Sequence, residues 1–308
     1  MTFSPTDAAF EGFRVTRRAP VAVLIWIGLY VAFSLGTLFL LGGNLSEFMA
    51  NAQSLEGNTE PSMEEMSAFF GNFFGFLLLA MPLGILMQSI LYCAMTRAVV
   101  RPEQRGFGYL QVGRDEMNVV IALIALVVLF FIGMIVMSVL LGLTGVGLGL
   151  VAGEQGGAVV ALLLMLALVV LGVYVALRFA FVVPMTVDHR AIRIFESWKA
   201  TRGQVLKLFL TALIAIVMSI VVWILVYMVG LPVMFFAGGG FEALAAVNDP
   251  ESFNLTTLPP QLLALMIAWL VLSAVISVLT SVIMYTPFVR AYVDLKGASV
   301  ASGVAPAP

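Results

Sequence analysis

A chain of 308 residues that is 62% hydrophobic and only 10% charged does not have the composition of a soluble domain, in which about a quarter of residues carry charge. Its apolar residues come in blocks matching the ~20 residues needed to cross a ~30 Å hydrocarbon core. The ~10-residue alternating segments of a membrane barrel are absent, so the composition specifies an all-α, polytopic membrane protein. The net charge of −2 gives no footing for nucleic acid, and the single cysteine, Cys93, excludes an intramolecular disulfide and reads as a buried, inert thiol.

Arg14, Arg17 and Arg18 precede the first apolar run, at about 20–41. A basic stretch of this kind also opens a secretory signal, and Ala50-Asn51-Ala52 supplies a small-x-small tripeptide. The run exceeds the ~7–15 apolar residues of a signal and the tripeptide lies beyond its end, so a retained membrane span is predicted. Residues 44–57 read as a short amphipathic helix, with Asn44 as cap, Glu47 three residues on and Gly57 as closure. Ser62 and Glu65 repeat the capping spacing before the second run, at about 68–95.

The connection to the third run (119–141) mixes Phe107, Tyr109 and Leu110 with arginines and reads as ordered. Residues 142–157 form a glycine-rich connection to the fourth run (158–183). In 191–202, Ile192, Ile194, Phe195 and Trp198 alternate with Arg193, Glu196, Lys199 and Arg202, predicting a short helix at headgroup level. The fifth run (208–229) leads into a loop at 230–260 punctuated by Gly238-Gly239-Gly240 and Pro259-Pro260. A sixth helix is predicted to start at Thr257 or Leu258 and span 262–289, with a disordered tail at 297–308. Arginines at the exits of the second, fourth and sixth runs predict three helix-pair units in one membrane domain.

Topology follows from the charges. Of 15 Lys and Arg, all but Arg178 lie in the two tails, the second-to-third connection and the fourth-to-fifth connection. The other three connections hold Glu47, Glu56, Glu60, Glu64, Glu65, Glu154, Glu242, Asp249 and Glu251 and no basic residue. Basic connections stay in the cytoplasm, so six spans with cytoplasmic N- and C-termini are expected.

Few residues offer chemistry. Arg178, the only charge inside a run, sits six residues before Pro184 and is expected to snorkel to the headgroups, with contact to an anionic headgroup or substrate as the alternative. His189 has only Asp188 beside it, too few ligands for zinc. The chain shows no nucleophile elbow, Walker lysine or His-Glu-x-x-His, so no catalytic residue, metal or cofactor is expected. Glu60 and Glu64, four apart, read as a solvated pair rather than a cation site. Gly28, Ala32 and Gly36, and Gly71 with Gly75, repeat at the spacing that lets helices approach in lipid and are predicted to pack helices. Gly145, Gly149, Gly153 and Gly157 fit either such a face or a flexible turn. Arg178, Arg193, Trp198, Lys199 and Arg202 form the candidate lipid-headgroup or substrate contact, since basic and aromatic side chains at one depth suit anionic lipids.

The stretch Arg178-Phe179-Ala180-Phe181-Val182-Val183-Pro184, then Ala191 and Glu196-Ser197-Trp198-Lys199-Ala200-Thr201-Arg202-Gly203, resembles a group of bacterial inner-membrane proteins. These are the YciC-like proteins and the membrane domain attached to some glycerophosphoryl diester phosphodiesterases. The closing Arg290-Ala291-Tyr292-Val293-Asp294-Leu295 fits the same layout, whereas the glycine often found after the proline exit is missing between Met185 and Ile192. The resemblance implies a six-helix architecture and a lipid-related setting. The expected role is non-enzymatic, in envelope or lipid homeostasis, with membrane lipids as partners. A lipid or amphiphile transporter is one alternative. The other is an assembly partner of another membrane protein or of a second copy.

Overall fold

The computed structural model describes residues 3–56, 62–103, 106–111, 113–237 and 260–301. All regular structure among them is helical. Two short helices, α1 (Pro5–Ala9) and α2 (Glu11–Arg18), lead into α3 (Pro20–Glu56) and α4 (Met63–Val100). A 3-10 turn at Gly106–Tyr109 precedes α5 (Arg114–Arg178), followed by α6 (Val182–His189), α7 (Ile194–Ala200), α8 (Val205–Ala237) and α9 (Pro260–Ala301). Six segments are long and apolar enough to cross a membrane.

The α5 run cannot be straight. Sixty-five residues at 1.5 Å each would part its ends by about 97 Å. Yet the Asn118 amide, four residues into the run, donates to the Arg190 carbonyl beyond its far end at 3.1 Å. Residues of 123–137 also line one cavity with residues of 168–179. The run therefore doubles back between Met137 and Leu168 into two antiparallel arms, which restores the six crossings. The glycine-rich stretch 142–157, expected as a connection between helices, is itself helical. Consecutive spans pair, α3 with α4, α8 with α9 and the two arms of α5, so the three helix-pair units are present.

Other boundaries shift. The predicted amphipathic helix after residue 44 is a continuation of α3, and α8 runs through Pro232 to Ala237. The tail expected from 297 onward is helical to Ala301. Helix α5 ends at Arg178 while the fourth apolar segment continues through α6 to His189, and Pro184 lies in the first turn of α6, where its missing N–H costs nothing. The capping box ahead of α4 is made, with the Ser62 N–H donating to Glu65 Oε2 at 2.9 Å and the Glu65 N–H to Ser62 Oγ at 3.2 Å. Gly57, Glu60, the Gly238 to Gly240 run, Pro259, the Thr257 or Leu258 start and residues 302–308 lie outside the described residues.

Burial is concentrated at one end, the end that carries the basic residues. Trp26, Leu91, Met95, Val119, Val278, Val282 and Val289 are fully buried there. Away from it more side chains are exposed, with Phe39 at 89% and Leu78 at 76% exposure. Lipid solvates such side chains as well as protein does, so packing and hydrogen bonds must hold a membrane bundle together. The basic end supplies both. Trp26 Nε1–H donates to the Gly108 carbonyl at 2.7 Å, and the Thr96 and Tyr285 hydroxyls meet at 2.6 Å. Gly108 needs its lack of a side chain twice over, since its φ is +65° and a Cβ would lie 3.2 Å from the Ile25 side chain.

The N-terminal segment, read from sequence only as a basic tail, is part of this packing. Phe3 and Ala8 join Leu177, Phe181, Leu208 and Tyr292 in one cluster, which places the two ends of the described chain on the same side. α2 crosses α9 so closely that a Cβ on Gly12 would sit 2.7 Å from the Ile283 Cα. Glu11, 1% exposed, accepts from Arg14 at 3.3 Å and Arg18 at 3.4 Å. The sequence signals for these helices were Ser4 capping Asp7 and the three- and seven-residue spacing of Glu11 from its arginines.

Candidate functional site

Helix α7 closes the C-terminus of α5. The last carbonyls of a helix lack intrahelical partners. Here the Ser197 hydroxyl donates to the Arg178 carbonyl at 2.8 Å, and the Thr201 hydroxyl lies 3.3 Å from the same oxygen. Ser197 Oγ also accepts the Phe181 N–H at 3.2 Å, and both hydroxyl residues are fully buried. Serine and threonine four residues apart therefore lash α7 to the end of the α5 hairpin.

Arg178 does not reach toward headgroups as expected. It is 7% exposed, its guanidinium lies 4.5 Å from the Trp198 ring centroid and 5.7 Å from that of Tyr174, and Nη1 donates to Thr201 Oγ1 at 3.4 Å. Among the described residues no carboxylate pairs with it, and its Nε has no hydrogen-bond partner. Two effects compensate the buried charge: the π-faces, and its place in the last turn of α5, where the helix dipole favours a cation. The proline spacing suggested a free side chain because the partners that hold it lie about twenty residues further along the chain.

Trp198, half-buried, is clamped between Arg178 and Phe179, whose ring is 5.4 Å away. Lys199 and Arg202 are exposed beside it, and neither makes a salt bridge among the described residues. Phe195 at 74% and Leu206 at 72% exposure flank them. Arg193 is different, since it pairs with Glu196 at 2.6 Å. Of the five candidate residues, two thus form a buried cation and ring, two are free cations on the outer face, and one is neutralised.

The small-residue stripes are not where helices of this chain meet. Gly28, Ala32, Gly36, Gly71 and Gly75 are exposed, and a Cβ built on any of the four glycines finds no atom within 4 Å. The close approach in the spans is instead at Gly230, whose Cβ would collide with the Leu272 side chain. His189 turns back on its own helix, Nδ1–H donating to the Met185 carbonyl at 3.1 Å, and no group of three or more metal-ligand residues occurs among the described residues.

A latch joins α6 to α9. Asp188 accepts from the Tyr292 hydroxyl at 2.6 Å and from Lys296 Nζ. The native protein is expected to melt above an Asp188→Asn variant in detergent at neutral pH, because the substitution removes the carboxylate that pairs with Lys296 and accepts from Tyr292.

No protein-family model, no curated protein and no solved structure matches the chain.

Proposed function

We propose that the chain is a non-enzymatic protein of a bacterial inner membrane, both termini cytoplasmic, that serves lipid or envelope homeostasis by seating α7 on anionic headgroups. This is the setting implied by its resemblance to the YciC-like group. The observation that carries the reading is the exposed stretch from α7 into α8: Lys199 on α7 and Arg202 in the turn after it make no salt bridge among the described residues, and the exposed Phe195 of α7 and Leu206 of α8 precede and follow them. Apolar side chains enter the headgroup boundary while the cations remain at phosphate level. Arg178 is a positioning residue here, because it holds Trp198 and does not itself meet the lipid.

Basic groups near an anionic surface contribute about 1 kcal/mol each, so losing both attractions lowers retention of anionic lipid by roughly 30-fold, and reversing both charges is expected to lower it by at least that much. The measurement is native mass spectrometry of lipids retained by the wild type and by the Lys199→Glu/Arg202→Glu variant, purified from nanodiscs containing phosphatidylglycerol and phosphatidylethanolamine. Equal retention of phosphatidylglycerol by the two proteins would overturn the reading.

Transport of a lipid or amphiphile draws on the sideways-open apolar cleft lined by 123–137 and 168–179. Assembly with another membrane protein draws on the exposed Gly28, Ala32 and Gly36 stripe of α3.

A further inference from the structure

The arms of α5, with Met81 of α4, enclose a cleft of about 560 Å³. Among the described residues its walls carry no charged or hydrogen-bonding side chain: they are leucines, valines, methionines, an alanine, three phenylalanines and two glycines. Gly133 and Gly172, one on each arm, leave open space where a Cβ would stand. Phe130 and Phe131 on one arm are 58% and 49% exposed, so the cleft opens sideways. Its wall on the first arm runs from Leu123 to Met137, about 21 Å of helix, somewhat more than half of a ~30 Å hydrocarbon core.

We infer that this cleft holds one acyl chain of an anionic phospholipid whose headgroup lies at Lys199 and Arg202. The inference rests on the headgroup reading of α7 and extends it to the lipid's tail.

Lining and charge select this occupant. An apolar cleft that runs along about 21 Å of helix and opens sideways suits a hydrocarbon chain. The walls offer nothing to a polar ligand, which would leave hydrogen bonds unmade in hydrocarbon. At the basic end the cleft finishes at Phe179, whose ring packs on Trp198, the neighbour of Lys199. An anionic headgroup at Lys199 and Arg202 thus places its tail at the mouth of the cleft. Bulk lipid is as apolar as these walls, so selection of the tail comes from the shape of the cleft and the charge at its mouth.

The test uses the full chain in phosphatidylethanolamine nanodiscs doped with phosphatidylglycerol that carries a diazirine near the end of one acyl chain. After irradiation the adducts are mapped by peptide mass spectrometry. Adducts concentrated on 123–137 and 168–179 are expected in the wild type, falling to the level of other lipid-facing segments in Gly133→Leu/Gly172→Leu. That variant fills the cleft where no atom stands in the way, and its phosphatidylglycerol retention through Lys199 and Arg202 should persist in part. Wild-type adducts spread over all spans in proportion to exposure would overturn the tail site, without any appeal to the variant's folding. A polypeptide found in the cleft by cross-linking would overturn it as well. If adducts concentrate in the cleft and Lys199→Glu/Arg202→Glu leaves both them and lipid retention unchanged, the tail site stands and the headgroup reading fails.

Discussion

An Arg97→Ala variant is expected to lose about 3–5 kcal/mol of stability, because it strands a buried carboxylate. The Arg97 side chain is 3% exposed and that of Glu116 5%, and Nη1 donates to Glu116 Oε1 at 2.6 Å. The same guanidinium reaches Asp115 Oδ2 at 3.3 Å and the Tyr109 carbonyl at 3.4 Å, tying the exit of α4 to the entry of α5 and the turn between them. Glu116 also accepts the Gly113 N–H at 2.9 Å, capping α5. Removing Arg97 leaves Glu116 buried without a cation, while removing Glu116 leaves Arg97 only the longer contact to Asp115, so the losses should be far from additive. Thermal melts in detergent should place Arg97→Ala/Glu116→Ala close to the single variants. Additive losses would mean that the pair does not act as a unit.

A Trp26→Ala variant should cost a similar amount, about 3–5 kcal/mol, for a different reason. The indole is fully buried and its N–H donates to the Gly108 carbonyl at 2.7 Å. That carbonyl belongs to a turn in which Phe107, Gly108 and Tyr109 all have positive φ, a conformation that side-chain-bearing residues hold only when neighbours impose it. Trp26→Phe keeps most of the volume and removes the donor, so it should cost only about 1–2 kcal/mol. Limited proteolysis at the 103–113 connection should quicken in both variants. A Phe variant as damaged as the Ala variant would show that the hydrogen bond, rather than the packing, holds the turn.

The parts of this structure that were legible in the sequence are those set by local pattern. Apolar run length marks all six spans, and Ser62 with Glu65 marks the start of α4, because a cap is decided within one turn. The helix at 194–200 follows from alternation of apolar and charged residues. What was not legible depends on partners distant in sequence. Arg178 reads as a snorkelling side chain until Trp198 and Thr201 are brought against it, and Arg193 reads as a headgroup cation until Glu196 takes it up. Gly28 and Gly36 have the spacing of a packing face, yet a spacing cannot tell which neighbour, if any, comes to it. The N-terminal helices were hidden for a related reason: a buried Glu11 looks like any surface acid when only charges are counted. The α5 hairpin was misjudged in detail because a glycine-rich stretch between two spans suits a helix in lipid as readily as a turn.

The proposed function requires the packed, basic end to face the cytoplasm, where α7 would meet anionic lipid. Cys93 is fully buried, so Lys199→Cys and Met63→Cys, at exposed positions on opposite sides, each present one accessible thiol. With a membrane-impermeant maleimide, Met63→Cys should label in intact spheroplasts, and Lys199→Cys only in inverted vesicles. Labelling of Lys199→Cys in spheroplasts, with Met63→Cys protected, would contradict the orientation and with it the placement of α7 on the inner leaflet.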